Sequence, residues 1–369
     1  MQKILFGTML MASIASASTI QLCDNVEDEI LCKISQDYDS IYPPKPYPAT
    51  IYPIVRIDEV TNVDENKQFI SVLVKVIQEW YDPTLKVKNP QDEWYKIPKK
   101  DIDSLWRPIV YFSKAGAVQK ISTLGKDNIN DFWFKVTENK LWYSEDLEVT
   151  FTCEMDFSSF PIDRHFCNFT MGDMEMSLTK IKYNQSIVEH DFGMIDDMDN
   201  WIEINDSNTP FDFKVSLVRP FTKKSVGYVH PFSFTGMSIE LERKSFGSLM
   251  ETFYVPTAIF AIVSMISFLI KPSVVPGRMG MIVTMLLISS NVYNNIEAPN
   301  RRGFSYTEVW IIGSWVPILF SLFEYGVILF FSKSQHEAEK NIFETFDYLS
   351  LVASALFYAI FNAYYWTNV

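Results

Sequence analysis

The stretch "RMGMIVTMLLISSNVYNNIEAP", residues 278–299, has the length of a membrane span and is half polar: it carries Thr284, Ser289, Ser290, Asn291, Asn294, Asn295 and Glu297. A helix needs about 20 mostly apolar residues to cross roughly 30 Å of hydrocarbon, so the polar content needs a reason. Steps of three and four residues keep to one helix face, and Gly277, Gly280, Thr284, Leu287, Asn291, Asn294 and Ala298 fall on one line. All of them except Leu287 and Ala298 are polar or glycine. Such a line is costly against lipid and favourable against water, which predicts that it borders an aqueous path walled by several copies of the helix, with Glu297 near one mouth. Leu287 then forms an apolar ring that blocks ions by dewetting. The alternative reading is helix packing through small and polar side chains.

Outward from this stretch, residues 249–270, 308–331 and 346–366 are long apolar runs almost without charge. With a polar-striped helix at 277–298 they make four spans in a transmembrane domain, 246–369, with a short cytoplasmic loop at 332–345. Four spans return the C-terminus to the side of the N-terminus, outside the cell membrane, and put Lys271, Arg278, Lys333 and Lys340 inside, as the positive-inside rule expects. Three spans, with 278–299 as an external loop, would strand Lys271 and Arg278 outside.

Before residue 246 the composition is different. Lys3, the apolar run Ile4–Ile14 and Ala15-Ser16-Ala17 read as a signal peptide over 1–17. Residues 18–245 read as an extracellular β-sandwich, from runs such as "FISVLVKVIQEW" (69–80), "LEVTFTC" (147–153) and "FSFTGMSIELER" (232–243), rich in Val, Ile, Phe and Thr. All four cysteines lie in this half. The close pairs, Cys23 with Cys32 and Cys153 with Cys167, suggest two local disulfides, since neither pair has zinc-site spacing. Sequons at Asn168, Asn184 and Asn205 fit an oxidising, glycosylating compartment.

A net charge of −13 argues against a nucleic-acid partner. No nucleophile–base motif, P-loop or dinucleotide fingerprint is present, so the reading is of a non-enzyme without cofactors. The acidic stretch "EHDFGMIDDMDN" (189–200) offers Glu189, Asp191, Asp196, Asp197 and Asp199 without any calcium-loop spacing, and reads as a solvated loop; no metal site is expected.

Between the last two cysteines stands "CEMDFSSFPIDRHFC" (153–167), which resembles the signature loop of the pentameric ligand-gated ion channels, the Cys-loop receptors. That family places an aromatic-proline-x-aspartate motif between cysteines separated by thirteen intervening residues; here it is Phe160, Pro161 and Asp163. A closed loop of this size removes about 3 kcal/mol of chain entropy from the unfolded state, so it stays compact. Further resemblances run along the chain: "EWYDPTL" (79–85), "LWRP" (105–108), "LERK" (241–244), Pro256, "PGRMG" (276–280), "FSLFEY" (320–325) and "FNAYYW" (361–366). The resemblance implies a sandwich on a four-helix bundle in a homopentamer, with a small-molecule ligand held between adjacent sandwiches. Membrane lipid surrounds it, and ions permeate the central pore. It also implies that Asp64 and Glu65, the Cys loop and Arg243 meet the segment beginning at Pro299, coupling binding to gating.

The ligand positions depart from the amine-receptor pattern, in which aromatic faces box a cation. By motif, the first two contributing loops offer Ser113 and Met174, and the strand across the interface offers Lys75. Only the third loop keeps aromatics, at Phe221, Tyr228 and Phe232. Lys75 would repel an ammonium and could pair with a carboxylate or sulfonate, so an acidic or amphipathic ligand is expected. Ion selectivity stays open: Pro276-Gly277-Arg278 looks like the Pro-Ala-Arg of anion channels, while Glu297 and the acidic exterior favour cations. A non-conducting accessory receptor of the same fold is the competing function.

Overall fold

The computed structural model describes residues 20–25, 31–121, 131–191, 193–204, 209–244, 246–271, 273–296, 304–331 and 337–369. Nine of the described strands position the sites: β1 Ala49–Asp64, β2 Phe69–Tyr81, β3 Tyr111–Ser113, β4 Asp131–Lys135, β5 Lys140–Thr152, β6 Arg164–Gly172, β7 Trp201–Ile204, β8 Phe211–Lys223 and β9 Phe232–Arg243. One sheet has the order β7-β8-β9-β6-β3; the other is built around β1-β2-β5-β4, with short strands at its edges. Their apolar faces meet in a core of Val72, Val74, Val149, Phe151, Phe169, Phe213, Val215, Met237 and Ile239, all nearly inaccessible. The alternation in "SVLVKVI" produces this packing, since Val72, Val74 and Val76 point inward while Lys75 points out.

Two disulfides are formed, Cys23–Cys32 with Cα atoms 4.9 Å apart and Cys153–Cys167 with Cα atoms 5.0 Å apart. The second ties the residue after β5 to β6, and so one sheet to the other. Asn168 on β6 and Asn184 are exposed. The signal-peptide residues, Asn205, Glu297 and Pro299 lie outside the described residues.

Among the described residues, four helices are long and apolar enough to cross a membrane. They are α1 Phe246–Leu269, α2 Val275–Asn294, α3 Tyr306–Phe331 and α4 Glu337–Asn368. Their bounds correct the sequence reading. α2 stops at Asn294 rather than 298: three asparagines in five residues favour local side-chain bonding over helix, and the Ile296 amide already closes a tighter turn on the Tyr293 carbonyl at 3.2 Å. α4 begins at Glu337 rather than 346, because "EAEKNIFETF" is rich in helix formers, so most of the expected loop 332–345 is helical. α1 starts three residues earlier than expected and α3 two earlier.

α3 and α4 approach closely at Gly313, where a Cβ would lie 2.0 Å from the Phe361 ring. Gly313→Ala is therefore expected to separate these helices and cost about 1–3 kcal/mol, as overpacking does. Thermal unfolding of the purified variant in detergent checks this; a melting point equal to the parent's would contradict the packing.

Candidate channel, coupling and ligand sites

α2 packs on its neighbours through Ile282, with Met285 and Leu286 beside it, against Ile318 and Tyr325 of α3. Ser289 is also buried, and its hydroxyl accepts from the Trp315 indole N–H at 3.0 Å. Residues 278, 282, 285 and 289 lie within about 60° on a helical wheel at 100° per residue. The stripe lies opposite: Gly277, Gly280, Thr284, Leu287, Asn291 and Asn294 are all exposed, Leu287 by 65%. The Thr284 hydroxyl donates back to the Gly280 carbonyl at 2.6 Å. α2 is the least buried of the four helices, and its free face is the polar one. Arg278 belongs to the buried face, turned away from the stripe.

At the base of the sandwich, Arg243 uses its whole guanidinium. Nε and Nη2 donate to the two carboxylate oxygens of Asp163 at 2.7 and 2.9 Å, and Nη1 and Nη2 donate to those of Glu65 at 3.1 and 2.7 Å. Phe160 and Phe211 lie against it, 4.8 and 4.6 Å from the guanidinium carbon. His165, also buried, bonds Asp163 through Nε2 at 2.6 Å. Burial alone would raise the Asp163 carboxyl, but the bonds from His165 and Arg243 prevail and hold it at about 2. Asp64, expected in this cluster, instead accepts the Lys67 amide at 2.9 Å within its own hairpin turn. Below the cluster lies a cavity of about 600 Å³ whose lining includes Glu65, Phe160, Arg243, Leu249, Thr252 and Asn295, so the sandwich base and the Asn294 end of α2 share one space.

The ligand positions fall on two separate surfaces. On the five-stranded sheet, Tyr228 packs edge-on against Phe232 at 5.0 Å, Phe221 is 38% exposed, and Ser113 and Met174 are half-buried. The loop carrying Met174 is fixed by Asp173, whose Oδ1 accepts the Glu175 and Met176 amides at 2.7 and 2.8 Å. Burial raises the Asp173 carboxyl despite these bonds. Lys75 stands on the other sheet, 3.8 Å from Asp146 on β5, so its charge is already shared.

Two aromatics were not expected from the sequence. Tyr111 on β3, Gly172 on β6 and Phe234 and Phe221 on β9 and β8 lie in one line of register across four strands. Phe221 stacks on Phe234 at 5.6 Å, and Tyr111 meets Phe234 edge-on at 6.4 Å. Gly172 makes room for this: a Cβ there would lie 2.6 Å from the Phe234 ring and 2.5 Å from the Ser233 carbonyl oxygen. Tyr111 shares the face of Ser113 two residues on, and that period of two was the signal that could have found it.

Residues 27–230 match the family model for the neurotransmitter-gated ion-channel ligand binding domain. The chain belongs to this family, the Cys-loop ligand-gated ion channels. Among relatives within the family, the acetylcholine-gated chloride channel subunit acc-1 of Caenorhabditis elegans is 24% identical over 330 residues, 86% of this chain and 66% of that one. The gamma-aminobutyric acid receptor subunit rho-2 of Bos taurus is 24% identical over 305 residues, 79% of this chain and 60% of its own length. The probable ligand-gated ion channel 46 of Caenorhabditis elegans is 21% identical over 286 residues, 76% and 53% of the two chains. The chain thus spans roughly half to two thirds of the length of these Cys-loop relatives.

Proposed function

We propose that this chain is a ligand-gated ion channel subunit of the plasma membrane, in which five copies enclose a pore lined by α2 and ligand binds between adjacent sandwiches. The observation that carries this reading is the polar face of α2, turned away from α1 and α3, the helices it packs with. Asparagines on that face are stable only against water or other protein, and a ring of copies supplies both. Both chain ends lie outside the cell in this reading, residues 18–245 form the extracellular domain, and Asn168, Asn184 and Asn205 are glycosylation sites. Glu297 stands near the outer mouth, and Pro299 starts the segment that receives the push of the Cys loop.

The ligand carries an acid group. Between Lys214 and Glu240 the sequence has Arg219, Lys223 and Lys224 and no acidic residue, so the β8–β9 hairpin is a basic element in a chain of net charge −13. The acid reaches Lys75 of the neighbouring copy, competing with Asp146, while Tyr111, Phe221 and Tyr228 take the body of the molecule. Of the ligands for which these relatives are named, gamma-aminobutyric acid has the carboxylate this chemistry asks for and acetylcholine does not.

Screening small acids against cells expressing the chain alone, with current as the readout, tests the function. Lys75→Ala is then expected to raise the concentration for half-activation by an acidic ligand at least tenfold, a loss of about 1.4 kcal/mol or more, and to leave a neutral agonist nearly unaffected. Activation by acetylcholine that ignores Lys75 would show the pocket to be elsewhere. Surface pentamers that never conduct would favour the accessory role.

A further inference from the structure

Arg278 is fully buried at the Val275 end of α2, on the face away from the stripe. A single guanidinium nitrogen, Nη2, donates to Glu324 of α3 and to Asp347 of α4, both at 2.7 Å. Among the described residues its other nitrogens, Nε and Nη1, and Glu324 Oε1 find no hydrogen-bond partner. The rings of Tyr325 and Phe268 lie 4.5 and 5.6 Å from the guanidinium carbon. The fork that Arg243 uses fully is here used through one prong, with two carboxylates from two helices competing for it.

The two acids differ in what else holds their helices. α3 packs directly on α2 through the Ile282, Ile318 and Tyr325 seam, so that pair stays together without Glu324. α4 packs on α1 and α3, through Tyr358 against Ala261 and through Phe361 against Trp310. Near the Val275 end no comparable apolar seam joins α4 to α2 among the described residues; toward the Asn294 end, Val292 and Tyr293 of α2 border the same cluster as Tyr365 of α4. At the Val275 end, Asp347 reaches α2 through its bond to Arg278.

We propose that Asp347 is a positioning residue for the pore helix: through Arg278 it fixes where the Val275 end of α2, and with it Gly277 and Gly280 of the stripe, stands relative to α4. The inference rests on the reading of α2 as pore-lining. Loss of Asp347 leaves Arg278 its second counter-ion, Glu324, so the bundle still forms while its inner link to α4 is gone.

All native cysteines are in disulfides among the described residues, so two introduced ones can be labelled selectively. Met279 and Tyr348 are 38% and 67% exposed beside the cluster, and Met279→Cys with Tyr348→Cys takes one spin label each. Labelled chains diluted with unlabelled ones report the distance within a subunit. Asp347→Asn and Asp347→Ser are both made, so that one folded variant suffices. The expected result is a distance distribution broadened or shifted by about 2 Å, the scale of helix shifts, with Asp347→Glu restoring the parent's narrow one. A second label pair at Asn291 and Tyr364, toward the other end, stays unchanged. In a Leu287→Thr background, the current per surface subunit is expected to change at least threefold in Asp347→Asn and to return in Asp347→Glu. Unchanged distances together with unchanged current would overturn the proposal. If the Leu287→Thr parent itself carries no current, the pore reading has failed, and the distances alone then decide this inference.

Discussion

Replacing Leu287 with threonine is expected to give a channel that conducts at rest. Leu287 is 65% exposed, and it is the large apolar side chain on a line otherwise made of Gly277, Gly280, Thr284, Asn291 and Asn294. A ring of such side chains excludes water from a narrow pore, and the ion, unable to shed its hydration, is stopped there. Threonine is smaller and carries a hydroxyl, so the ring wets. Whole-cell recording without ligand should show resting current at least tenfold above the parent's, corresponding to about 1.4 kcal/mol of closed-state preference removed. Equal surface expression must be verified by labelling intact cells. A variant that gates normally with an unchanged closed state would remove Leu287 from this role.

Arg243→Ala is expected to have the largest effect on assembly. The substitution leaves Asp163 fully buried with only His165 beside it, and leaves Glu65 without a partner across the junction. Breaking a buried pair by removing one member costs about 3–5 kcal/mol, a large part of the 5–15 kcal/mol that typically holds a domain together. Surface-labelled protein should fall at least tenfold, while Arg219→Ala on the exposed hairpin leaves it unchanged. The pH dependence has a definite sign. With the Asp163 carboxyl depressed to about 2 from an ordinary value near 3.8, its contribution is fully present above pH 4 and is lost as pH falls toward 2. Mild acidification to pH 5 therefore leaves this cluster's Asp163 pairing intact, and intrinsic fluorescence of the purified protein between pH 7 and 5 should show no opening at the sandwich base.

Much of the architecture was legible because it is periodic or local. The stripe on α2 repeats every three to four residues, the inward valines of β2 every two, and the Cys loop closes over fourteen positions. Helix ends were less legible, since a run of asparagines after Tyr293 and a run of helix formers before Phe346 shift boundaries without changing hydropathy much. The least legible features depend on register and on distant partners. Tyr111, Phe234 and Phe221 become one aromatic row only when β3, β6, β9 and β8 are aligned, and nothing near Gly172 announces the ring it must accommodate. Arg278 reads as a cytoplasmic charge, yet its carboxylates lie 46 and 69 residues further along the chain. Asp64 and Glu65 are adjacent in sequence, but the β1–β2 turn directs only Glu65 to Arg243.

Thiol accessibility along α2 decides whether that helix lines a water-filled pore. Single cysteines placed at Gly280, Thr284, Asn291 and Asn294, and for comparison at Ile282 and Ser289, are exposed from either side to a charged, membrane-impermeant methanethiosulfonate reagent while current is recorded. Reaction and altered current are expected at the four stripe positions, fastest in the open state, and none at Ile282 or Ser289, which face α3. Stripe cysteines that stay unreactive in a channel that conducts would place the ion path elsewhere and contradict the pore reading.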